Sequence, residues 1–222
     1  LDDLSVYRNT ITSTEIAVPK KGGDSSVEGG ELYPGQVFFS DFERENDGTT
    51  IYGKGSFIDF GGNFGRVFQN VGGAQRSNYL ILPEDVLSHS AETKELSIGV
   101  WVNAANAGAS ADYMWAPLFS AYASGPATDN GTPMFICQYR GILQVNCNGW
   151  CDFTDAQNVA GTNGVYHDAT DWLADKGWHY YTVTLTETNA KVYFDGVLKN
   201  EWNVSGSGDG NVIGGLFSNG SD

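Results

Sequence analysis

Trp178-His179-Tyr180-Tyr181-Thr182-Val183-Thr184-Leu185, followed by Lys191-Val192-Tyr193-Phe194-Asp195-Gly196-Val197-Leu198, is the stretch that decides the fold. Its residues are aromatic or β-branched, which suits a pleated, half-buried surface. Alternation places His179, Tyr181, Val183 and Leu185 on one face of a strand. Asp195-Gly196 then reads as a two-residue turn of the primed kind, whose positive φ angles match the twist of a hairpin. The segment is therefore two or three antiparallel strands in sequence.

Working outward, Leu96-Ser97-Ile98-Gly99-Val100-Trp101-Val102-Asn103 alternates cleanly. Leu96, Ile98, Val100 and Val102 share one face and Trp101 lies on the other. Met134-Phe135-Ile136-Cys137-Gln138-Tyr139 and Ile142-Leu143-Gln144-Val145-Asn146 flank Arg140-Gly141 as a further hairpin. Shorter strands are expected at Gln36 to Phe42, Ile51-Tyr52, Phe57 to Phe60, Arg66 to Gln69, Tyr79 to Leu82 and Pro117 to Tyr122. Residues 104–115, 123–133 and 148–177 read as polar loops, with one helical turn at Asp171-Trp172-Leu173-Ala174. No helix of ten or more periodic residues is expected. Residues 1–35 lack periodicity and read as an N-terminal arm or linker; 36–222 form a single domain. Many short strands with turns between them indicate an all-β sandwich or barrel.

Composition supports this. The 222 residues include 29 Gly, and aromatics make up 13%; turn-rich sheets need both. The formal net charge is −15. Such a surface repels phosphate backbones, so nucleic acid is excluded as a partner. Membrane insertion is not expected, since no run approaches the roughly 20 apolar residues of a spanning helix. Neutral sugars, cations and cationic proteins remain. Three cysteines, Cys137, Cys147 and Cys151, cannot all pair within one chain. Cys147 and Cys151 could close a small loop disulfide; buried, unreactive thiols are the simpler reading.

The two hairpin runs resemble the "WHHVAVTYD…LYVDGVLV" segment of laminin-G-like and concanavalin-A-like domains. Leu96 to Asn103 is similar to their "FTISFWVKP" strand. Phe64-Gly65-Arg66-Val67-Phe68-Gln69-Asn70, then Tyr79-Leu80-Ile81-Leu82-Pro83, resembles the "FGKALSFDG…YVEIP" segment of the bacterial members. The three stretches fall in family order across residues 36–216. The resemblance implies an antiparallel jelly-roll β-sandwich of the concanavalin-A-like type, secreted and placed outside the cell, at its surface or in the periplasm. It does not imply one function, because the same fold hosts lectins, glucanases, lyases and adhesion modules. Members close with a Gly-rich strand and an acidic "DDVRIY"-like strand that pairs with the first. Ile213-Gly214-Gly215-Leu216 begins such an ending. Either the final strand is missing from this chain or the N-terminal arm takes its place.

The chemistry carried by the residues points to binding. The glucanases of this fold carry an E-x-D-x-E strand, and none is present. The nearest approach is Asp41, Glu43 and Glu45, which would share a face if the first strand continued. Solvated strand-end acids are the simpler reading. Asp41, Glu43 and Asp47 lie where the resemblance implies a structural cation; calcium is the ion such oxygens would take. No Ser/His/Asp order, phosphate loop or dinucleotide fingerprint occurs. His167 and His179 read as structural.

A glycan site needs aromatic platforms beside planar polar groups. Tyr113, Trp115, Trp150, Tyr166 and Trp172 are loop rings, with Asp152 and His167 among their polar neighbours. The bland alternative is that these rings cap the sandwich edge. Trp101 and Trp178 occupy positions that look like core in the family. The reading is a non-catalytic polysaccharide-binding, lectin-like module. A glycoside hydrolase or lyase of the same fold, and an adhesion domain with a protein partner, are the alternatives.

Overall fold

The computed structural model describes residues 2–7, 10–11, 36–40, 42–43, 48–70, 78–103, 116–121, 134–139, 142–147, 165–168, 177–186 and 189–203. Within them the chain is all-β and every strand pair is antiparallel. The strands in chain order are β1 (Asp2–Tyr7), β2 (Gln36–Ser40), β3 (Thr50–Tyr52), β4 (Ser56–Asp59), β5 (Arg66–Gln69), β6 (Tyr79–Ile81) and β7 (Glu95–Asn103). They continue with β8 (Ala116–Ala121), β9 (Met134–Tyr139), β10 (Ile142–Cys147), β11 (Val165–Asp168), β12 (Trp178–Thr186), β13 (Asn189–Phe194) and β14 (Val197–Asn203). One short helix, α1 (Ser88–Thr93), precedes β7 and ends where Lys94 turns left-handed.

Six strands form one sheet in the order β14-β13-β12-β7-β1-β2. The long strands β7 and β12 lie at its centre and are buried on both faces. On one face Leu96, Ile98, Val100 and Val102 meet Leu185, Val183, Tyr181 and His179 in register, as alternation requires. Val6 of β1 and Val192 of β13 extend this layer, both fully buried. On the other face Tyr180 stands opposite Trp101, and its phenol lies so close over Gly99 that a β-carbon there would overlap it. Gly99 is thus the one place in β7 where the absent side chain is required.

The final hairpin has the expected turn. Phe194 pairs with Val197, and Asp195 and Gly196 between them have φ angles of 49° and 77°. The Asp195 carboxylate folds back onto β12. It accepts the Tyr180 backbone N–H at 2.8 Å and a 2.7 Å hydrogen bond from His179 Nδ1. The His179 ring stacks on Phe194 with centroids 4.5 Å apart. The aspartate of the turn therefore locks the strand beyond the point where β13 ends.

Three sequence expectations are corrected. The first 35 residues are not solely an arm: residues 2–7 are a strand inside the sheet, between β7 and β2. Leu4 and Val6 bury their side chains, and Gln36 Nε2 donates to Ser5 Oγ across the β1–β2 pair. β1 is paired with β2, the first strand expected from the sequence. Second, β2 stops at Ser40 and does not run on to Phe42. Phe42 adopts a left-handed φ of 59°, its N–H donates to Ser40 Oγ, and its ring is fully buried. Of the acids Asp41, Glu43 and Glu45, only Glu43 is among the described residues, and it lies outside the strand. Third, residues 165–168, assigned to a loop, form β11.

The remaining strands form a four-stranded sheet, β11-β10-β9-β8, and two small pairs, β3-β6 and β4-β5. The β4-β5 pair carries Phe57 opposite Phe68, their rings 5.7 Å apart. Phe60 and Phe64, from the connection between these strands, lie against the large sheet. Phe64 stacks on Trp178 at 4.3 Å and meets the edge of Trp101 at 5.7 Å.

Candidate functional site

The β3-β6 pair is short, and its burial pattern is a plain alternation. Ile51 and Leu80 are half-buried; Thr50, Tyr52, Tyr79 and Ile81 face outward. Register sets Tyr52 opposite Tyr79 and Thr50 opposite Ile81. The two tyrosine rings stack with centroids 4.7 Å apart and planes 22° apart. Both remain open to solvent, at 51% and 41% of their surface, and Ile81 is 41% exposed. Such a cross-strand aromatic pair is rigid, because each ring has only two side-chain torsions and each restricts the other.

Polar groups border the rings. Gly53 follows Tyr52 with a φ of 85°, which turns the chain so that Lys54 faces Asn78. The Lys54 backbone N–H donates to Asn78 Oδ1 at 2.6 Å. Asn70 Nδ2 donates to the Asn78 carbonyl at 3.1 Å, fixing the plane of an exposed amide beside the tyrosines. The surface therefore offers two ring faces, two oriented amides and one lysine. That set can stack on an apolar ring face and hydrogen-bond hydroxyls or amides.

This platform is not among the residues singled out from the sequence. Tyr52 and Tyr79 stand 27 positions apart in sequence, and only the register of two three-residue strands brings them together. The available signal was the alternation Ile51-Tyr52 and Tyr79-Leu80-Ile81, which marks both tyrosines as outward once the apolar neighbours point in.

Of the residues that were singled out, Tyr113, Trp115, Trp150, Asp152 and Trp172 lie outside the described residues, as do Asp41, Asp47 and the cysteine pair's loop. Tyr166 and His167 are on β11, the edge strand of its sheet, with backbones paired to Gln144 and Leu143. Glu43 is placed. Its Oε1 accepts the Arg66 backbone N–H at 2.8 Å, tying the end of the β2 segment to the start of β5. Gly65 passes so close to this carboxylate that a side chain there would collide with it. Among the described residues no three His, Cys, Asp or Glu side chains converge as a metal centre would require. Trp101 and Trp178, set aside as core, are packed against Tyr180, Phe60 and Phe64. His179 is buried and held by Asp195.

No helix among the described residues is long and apolar enough to cross a membrane. No family model and no curated protein matches this chain. Among solved structures, a tryptophan-to-alanine mutant of HCR/D aligns at 13% identity over 50% of this chain and 29% of that chain, with a TM-score of 0.28. A likeness that weak adds nothing to the fold read from the strands themselves.

Proposed function

We propose that this chain is a non-catalytic carbohydrate-binding module, built on a jelly-roll sandwich and working outside the cell, at its surface or in the periplasm. The observation that carries this reading is the solvent-facing Tyr52–Tyr79 stack with Asn70 and Asn78 beside it. Rigid rings at the surface lose little entropy on binding, and their faces match the apolar face of a pyranose. Planar amides held by the backbone discriminate among hydroxyl orientations. The strongly acidic chain favours a neutral polysaccharide over an acidic one, since like charges would raise the cost of approach.

The loop rings Tyr113, Trp115, Trp150 and Trp172, with Asp152, and the β11 residues Tyr166 and His167 would add a second contact region if they gather on the same side. Calcium, held by Asp41, Glu43 and Asp47, would be structural.

A glycan array probed with and without a chelator tests the reading. Retention of neutral polysaccharides in both conditions is the expected result. Silence across the array would reject it, and release of reducing sugar would replace binding with hydrolysis. Loss of binding only on chelation would move the calcium from a structural to an essential role.

A further inference from the structure

The four-stranded sheet has two unlike faces, and its register tells them apart. Residues directly opposite in an antiparallel pair share a face, and successive residues along a strand alternate. Phe119, Ile136, Val145 and Val165 form one rung across all four strands. Every residue in it is apolar, and Phe119 is buried, so this rung marks the core face. His167 and its partner Leu143 take the same face.

The opposite face is made of other residue types. On the inner strand β10 it holds two amides, Gln144 and Asn146, which stand two positions and so roughly 7 Å apart. Each is opposite an aromatic residue: Gln144 opposite Tyr166 of β11, and Asn146 opposite Phe135 of β9. Tyr139 and Asp168 flank Ile142 in the next rung. An antiparallel sheet with one face on the core turns polar residues to water on the other. Solubility alone is served by interspersed charges. This face has one acid, Asp168, and no base among its paired positions, and it sets aromatic residues beside its amides.

We propose that this face is a glycan-binding surface, with Gln144 and Asn146 as the pair that recognises hydroxyls and Tyr166 and Phe135 as the flanking rings. A primary amide donates and accepts at once, which matches neighbouring sugar hydroxyls. An aromatic residue next to it supplies cover for the apolar face of the same pyranose. With a single acid and no base, the surface suits a neutral chain of sugars. The site takes its ligand class from the carbohydrate reading and rests on it for that alone; it uses none of the residues of the Tyr52–Tyr79 stack. Of the β11 neighbours Tyr166 and His167, only Tyr166 belongs to it.

Two cysteines report on the two faces. Cys137 shares the rung of Gln144 and Tyr166, whereas Cys147, opposite Met134, falls on the core face. The folded full-length chain, kept reduced, is treated with N-ethylmaleimide and the labelled peptides are mapped by mass. Cys137 should react at least about tenfold faster than Cys147, as an accessible thiol does beside a buried one. Equal protection of both would mean that the face is covered, and would overturn the proposal. Protection of Cys137 that grows with protein concentration would assign the face to a second copy and overturn it too. The parent is then run through native gels containing hydroxyethylcellulose, galactomannan, mixed-linkage β-glucan or soluble starch, beside the Gln144→Ala/Asn146→Ala and Tyr52→Ala/Tyr79→Ala double variants. The parent should be retarded in at least one gel. The amide variant should bind that polysaccharide at least about tenfold more weakly, the worth of two lost hydrogen-bonding groups, with its urea midpoint little changed. Gln144→Glu, of the same shape but without the amide's donors, repeats the measurement where the alanine pair disturbs the fold. A folded amide variant retarded as strongly as the parent, with retardation lost in the tyrosine variant, overturns this site and leaves the carbohydrate reading standing. No retardation of the parent in any gel overturns both.

Discussion

The β7–β12 pair and the β3–β6 pair draw on the same residue types and put them to opposite uses. In β7–β12 the tyrosines and tryptophans lie under other elements: Tyr180 covers Gly99, and Trp178 lies beneath Phe64. In β3–β6 the tyrosines stack on each other and face water. The difference is length and cover. Nine-residue strands at the centre of a sheet have neighbours on both sides and both faces. A pair of three-residue strands covers one face only, through Ile51 and Leu80, and leaves the other for solvent. Aromatic content alone therefore says little about binding; the position of the ring in the sheet decides.

Substitutions should separate the two regions cleanly. Leu185→Ala removes a fully buried side chain from the central layer. It should cost about 3 kcal/mol of unfolding free energy in a urea titration, from lost transfer and the cavity left behind. A cost below about 1 kcal/mol would mean that the central strands are less tightly covered than described. Asp195→Ala should come next, at about 2 kcal/mol. It removes the acceptor of the Tyr180 N–H and of His179, and puts alanine at a positive φ. Asp195→Asn keeps a side chain that tolerates this backbone and can still accept the N–H, so it should recover about half of the loss. Equal loss in both variants would assign the effect to the charge alone. Tyr52→Ala should have the smallest effect on stability, about 0.5–1 kcal/mol, the worth of one exposed aromatic pair. A loss as large as that of Leu185→Ala would place Tyr52 in the core and remove it from the binding surface.

Much of the sheet was legible because its signals are local. The alternation of Leu96 to Asn103 and the Asp195-Gly196 turn each need only a few consecutive residues, and both appear as read. What escaped depends on partners distant in sequence. β1 offers a short alternation, Leu4 and Val6, beside two acids and a serine, and it becomes a strand because β2 and β7 supply both its edges. β11 is four residues within a long polar stretch and is recognisable only beside β10. The end of β2 was missed because a left-handed Phe42 has no sequence signature; burial of its ring offsets the strain. The tyrosine platform was missed for the same reason as β1, since cross-strand register is a tertiary property. Trp101 and Trp178, set aside because their positions look like core in the family, are half-buried and packed against other rings, whereas Tyr52 and Tyr79 face solvent.

The platform can be challenged with a single titration. The polysaccharide giving the strongest array signal is titrated against the parent chain and against a Tyr52→Ala/Tyr79→Ala double variant, with urea unfolding of both run alongside. Affinity should fall by at least about tenfold, as loss of two stacking rings implies, while the unfolding midpoint moves only slightly. Unchanged affinity in a folded double variant would show that sugar is held elsewhere, and the exposed tyrosine stack would no longer support a binding role.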